Sequence, residues 1–77
     1  MMGTGRTSLV VTFASTHDAM AAEAALMAQG VPGRIIPTPT VVTAECGLAW
    51  KSPLSARDAL SAALEALAHE EILELEV

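Results

Sequence analysis

One residue in this chain has reactive side-chain chemistry of its own: Cys46, the only cysteine. It lies in Pro37-Thr38-Pro39-Thr40-Val41-Val42-Thr43-Ala44-Glu45-Cys46-Gly47-Leu48-Ala49-Trp50, with the only tryptophan and two of the four prolines. A thiol reacts as its thiolate, attacking sulfur and other soft electrophiles. The Pro-x-Pro segment fixes two φ angles and removes two N–H donors. The stretch thus combines a stiff backbone with a nucleophile. Spacing alone leaves two readings of Cys46 open, a working thiol or a small buried core residue.

The other candidates surround it only in part. His17 is a possible imidazolium or proton shuttle. Glu23 is either a carboxylate snorkelling past small alanines or a partly buried group that fixes the first loop or faces the thiol. His69, among Glu65, Glu70 and Glu71, reads as a helix-terminal or solvated residue, and Trp50 as the largest core filler. The chain has no paired carboxylates in a cleft, no phosphate loop and no nucleophile-base-acid set. It reads as a carrier or binding module, not a self-sufficient enzyme. Cys46 and His17 are too few for zinc and lack its ligand spacings, so no metal and no cofactor are expected.

The elements that must position these groups follow the hydrophobic pattern. Ser8-Leu9-Val10-Val11-Thr12-Phe13 reads as a buried strand. Ser15 or Thr16 caps a helix running to Gln29, with Asp18 in its first turn and Gly30 as its stop. At 100° per residue Ala19, Met20, Ala22, Leu26 and Met27 share one face, with Glu23 in its middle. Arg34-Ile35-Ile36 is a short strand, at a sheet edge because Pro32 and Pro37 flank it. Cys46 to Trp50 is the third strand, Gly47 allowing close approach of another group. Lys51 to Leu54 connects to a second helix, where Ser55 and Asp58 form a capping box and Leu54 a staple. Its inner face is Ala56, Leu60, Ala63, Leu64 and Leu67. In the last strand, Leu73, Leu75 and Val77 point inward and Glu74 and Glu76 outward.

That order, β-α-β-β-α-β, predicts an α+β ferredoxin-like fold. Its antiparallel sheet has strand order 4-1-3-2, with both helices on one face. Residues 1–7 read as a flexible tail and 8–77 as a single domain. The topology places Cys46 beside Phe13 and the loop Ala14 to Asp18. There the helix N-terminus offers free N–H groups and partial positive charge.

Length and charge bound the rest. Seventy-seven residues allow one domain, and a hydrophobic fraction of 52% supports a compact core. A net charge of −5 with four Lys/Arg disfavours nucleic acid and anionic membrane. No stretch has the form of a signal sequence, bilayer span or myristoylation site. The expectation is a reduced, cytoplasmic protein.

The residues also carry a resemblance. Thr12-Phe13-x-Ser15-Thr16-His17-x-Ala19-Met20-x-Ala22-Glu23-x-x-Leu26, then Gly30, Arg34-Ile35-Ile36-Pro37-x-Pro39 and Cys46-Gly47-Leu48-Ala49, resemble the small bacterial selenium/sulfur (Se/S) carrier-like domains. The resemblance covers roughly residues 9 to 76. It implies that Cys46 holds sulfur or selenium as a persulfide-type species for transfer. Ser15, Thr16, His17 and Glu23 match the family's polar positions, and Pro37, Pro39 and Gly47 its loop. Thr40 departs from the basic residue that usually follows the second proline. Glu45 opposes a thiolate at Cys46 by like-charge repulsion. Cys46 is followed by Gly47, not by the proline of tRNA-thiolation carriers.

Two function classes follow. In the first, Cys46 takes a chalcogen from a donor protein and presents it to an acceptor. In the second, the domain is a non-catalytic ligand-sensing or protein-interaction module that forms a homodimer through its open sheet face.

Overall fold

The computed structural model describes residues 7–42 and 46–77. Strand β1 (Thr7–Thr12) is apolar on both faces and runs through the middle of the sheet. Thr7, expected in the tail, begins this strand; the remainder of the expected tail, 1–6, lies outside the described residues. Helix α1 (Thr16–Ala28) starts where expected: the Ser15 hydroxyl accepts the Asp18 N–H at 3.1 Å. Gln29 ends the helix and Gly30 follows at φ 74°, a conformation glycine adopts at no steric cost. Strands β2 (Arg34–Pro37) and β3 (Leu48–Pro53), a 3-10 turn at Leu54–Ala56, helix α2 (Arg57–Leu64) and strand β4 (Ile72–Glu76) complete the chain.

The sheet order is β2-β3-β1-β4, every pair antiparallel. This is the 4-1-3-2 order read from the other edge. Leu9, Val11, Phe13 and Trp50 pack against Ala19, Ala22 and Leu26 of α1 and Leu60 and Leu64 of α2 in one core. Both helices therefore cover the same face.

Four local expectations change. Strand β3 begins at Leu48, after Cys46 and Gly47, and extends through the segment expected as a connection. The buried Ser52 hydroxyl explains the extension. It accepts from Trp50 Nε1 at 2.7 Å and donates to the Pro32 carbonyl at 2.6 Å, pinning the β2 approach onto β3. The backbones there are so close that a Cβ on Gly33 would stand 2.4 Å from the Lys51 carbonyl oxygen.

The capping box does not form. Ser55 is inside the 3-10 turn, Ala56 takes the cap position without a side-chain hydrogen bond, and Leu54 is exposed. On α1, Met20 and Met27 are 51% and 64% exposed, because the narrower Ala19-Ala22-Leu26 stripe makes the core contact. Finally, the β4 alternation is real but reversed. Leu73 pairs with Val10 and Leu75 with Ser8, on the face away from the helices, while Ile72 and Glu74 share the helix side. There Arg57 of α2 pairs with Glu74.

The face without helices is not bare. Val10, Thr12 and Ala49 are buried on it, between half-buried Leu73, Leu75 and Ile36. Lys51, opposite Val10, donates to the Val77 carbonyl at 3.0 Å. Because β1 lies between β3 and β4, that contact closes over β1.

Candidate functional site

Adjacency of β1 and β3 brings the end of β1, the start of α1 and the start of β3 to one corner. Cys46 stands there, one bend before β3, and Gly47 separates it from Leu48. Two polar groups address its sulfur. The Leu48 backbone N–H points to Sγ at 3.3 Å, and the Thr16 hydroxyl lies 3.8 Å away, either atom able to donate. Thr16 is the first residue of α1, so the sulfur sits at the helix end that carries partial positive charge.

Cys46 belongs to the core cluster and is only 5% exposed. Of the two readings open from spacing, a working thiol or a small buried core residue, the burial of the second is what the fold gives it. Phe13 and the α1 residues pack the same core as the thiol, which buries it. Access to the sulfur therefore requires local opening.

Thr38 holds the segment shut. Its N–H donates to the Gly47 carbonyl and its hydroxyl to the Cys46 carbonyl, both at 2.9 Å. Sequence reasoning passed over Thr38, although a signal existed. In Pro-Thr-Pro the threonine has the only backbone N–H, and a lone donor in a stiff segment must find an acceptor.

The remaining candidates disperse. Ser15 caps α1, its hydroxyl taken by the Asp18 N–H. His17 is exposed on the first turn of α1. Glu23 is half-buried, seven residues beyond Thr16 and so about 10 Å further along the helix; that distance removes it from the thiol. Pro37 closes β2 opposite Leu48, and the Pro39 carbonyl accepts from Val42 N–H at 3.0 Å in a turn. Gly47 is exposed, with nothing within 4 Å of where a Cβ would stand, so it leaves room beside the thiol instead of admitting a packed neighbour. Glu45, expected to repel a thiolate, lies outside the described residues. Among the described residues no group of three or more His, Cys, Asp or Glu converges as a metal site would require.

The family model described as "Putative Se/S carrier protein-like" matches residues 8–74. The chain belongs to that family. The match spans β1 through most of β4 and so includes every element that frames Cys46. Comparisons with curated proteins and with solved structures found no match. Among the described residues of this Se/S carrier-like domain, no helix is long and apolar enough to cross a membrane.

Proposed function

We propose that this domain carries sulfur or selenium on Cys46 between a donor and an acceptor protein in a reduced, cytoplasmic setting. The observation that carries the reading is the aim of the Leu48 N–H and the Thr16 hydroxyl at the only thiol of a chain in this family. Donors of this kind stabilise negative charge on a chalcogen at the moment it is attacked or released. The Cys46 thiolate attacks the outer sulfur of a donor cysteine persulfide. The donor's S–S bond breaks, the donor thiolate leaves, and Cys46 holds the persulfide. Attack by an acceptor nucleophile on that outer sulfur reverses the step, with no net oxidation. In this reading His17, exposed on the first turn of α1, serves the incoming group as imidazolium or proton shuttle, whereas Ser15 keeps the helix start in position.

The test is intact-protein mass spectrometry of the domain purified from its own cells without reductant. A fraction heavier by one sulfur or selenium atom is expected, lost on reduction and absent in Cys46→Ser. An unmodified mass, with a donor enzyme's persulfide also failing to load Cys46, would sink the reading.

One observation favours the interaction module. Ile36, Leu73 and Leu75 leave apolar surface on the open sheet face, and small domains gain stability by pairing such faces. This reading expects a homodimer in sedimentation at micromolar concentration that is indifferent to Cys46→Ser.

A further inference from the structure

We propose that the outer flank of α1 is the docking surface for the carrier's protein partners, and that a partner presents there an apolar patch rimmed by lysine or arginine. This rests on the carrier reading of Cys46 and adds the place and chemistry of its contact. Thr16, Met20, Glu23 and Met27 are spaced i, i+4, i+7, i+11 and form one strip along the helix. Met20 and Met27 are more than half exposed, and Ala24 and Ala28 beside them are exposed as well. Beyond its first turn the strip and the solvent side next to it carry one charged group, the half-buried Glu23. Solvent-facing helix surface is ordinarily polar, so this composition calls for a covering partner.

Position ties the strip to the thiol. Thr16 at its head is the residue whose hydroxyl approaches Cys46 Sγ. From there the strip runs about 16 Å to Met27. A protein lying along it has its edge at the sulfur.

Charge decides the partner's sign. The helix layer bears Asp18, Glu23, Asp58 and Glu65, and its cation Arg57 is taken by Glu74. Arg34 and Lys51 are paired neighbours whose side of the sheet faces away from the helices. The chain as a whole carries −5. A partner therefore approaches a net-negative domain whose apolar strip holds one charge, that of Glu23, and its complement is basic around apolar. Methionines suit the task, since their flexible side chains repack against more than one surface, and a carrier must meet both a donor and an acceptor.

The experiment uses the full chain with 13C-labelled methionine and leucine methyls and two model probes. Both are amphipathic helical peptides with leucine on one face; one has lysine on the other face, the second glutamate. The leucine/lysine peptide is expected to shift the Met20 and Met27 methyl signals, to bind more weakly as salt rises, and to slow iodoacetamide at Cys46. Met20→Gln with Met27→Gln should weaken it about ten-fold; both side chains are exposed, and an unchanged melting temperature confirms the fold. The proposal is overturned if the methionine signals stay still, if the shifts gather at Leu73 and Leu75, or if the glutamate peptide binds equally well. Chalcogen on Cys46 with unmoved methionines removes the docking surface alone. Moved methionines with no chalcogen remove the carrier reading and leave the surface as an interaction site.

Discussion

Ser52→Ala should destabilise the protein far more than loss of one small hydroxyl suggests. The Ser52 oxygen is the acceptor for the buried indole N–H of Trp50 and the donor to the Pro32 carbonyl. Both Trp50 and Ser52 are fully buried, so water cannot replace the hydroxyl without disrupting the core. Leaving the indole N–H unpaired costs about 1–3 kcal/mol. Pro32 is exposed and its carbonyl can turn to solvent, so that loss is smaller. A total of about 2–3 kcal/mol stands against roughly 4–12 kcal/mol for a domain of this length. The variant folds, with its melting temperature lowered by about 10–20 °C. Urea unfolding followed by Trp50 fluorescence reads the change directly, with Ser61→Ala on the exposed side of α2 as control. A loss below about 0.5 kcal/mol at unchanged denaturant slope would refute the reasoning, because surface substitutions fall in that range.

The same junction sets a second expectation. Gly33→Ala drives a Cβ against the Lys51 carbonyl and should cost about 3 kcal/mol or more, whereas Gly30→Ala meets open space and pays only for its positive φ, about 1 kcal/mol; equal urea midpoints for the two would contradict the packing. Thr38→Val removes the hydroxyl that holds the Cys46 carbonyl. A local loss of about 1 kcal/mol should speed iodoacetamide reaction at native Cys46 roughly five-fold, and an unchanged rate would mean that another contact controls opening.

The fold was legible because its signals are local and agree with one another. β1 is a run of β-branched and apolar residues, Ser15 and Gly30 bracket α1, and Pro32 and Pro37 mark β2 as an edge. Together they select one topology, and topology alone placed Cys46 near the α1 N-terminus. What escaped depends on geometry across the fold. The burial of Cys46 follows from the core closing around it. The length of β3 follows from Ser52 reaching Pro32, twenty residues away. The sense of β4 was misread because β1 is apolar on both sides, so an alternating partner strand fits either way; the Arg57–Glu74 pair shows which way it lies. Glu23 looked central on a helical projection, but such a projection carries no information about distance along the axis.

The contact of Lys51 with Val77 over β1 has a dynamic consequence. Ser8 through Thr12 are all buried, and β1 has a hydrogen-bonded strand on each side. Its amides belong to the last unit to open, so their exchange with solvent reports global unfolding. The β2 edge lies beyond β3, and the clasp of Thr38 on Cys46 and Gly47 sits ahead of the first β3 residue, held by two hydrogen bonds. The thiol corner can therefore breathe on its own while the middle of the sheet stays closed. A buried sulfur and a stable small domain are compatible for that reason: exposing the first does not require melting the second.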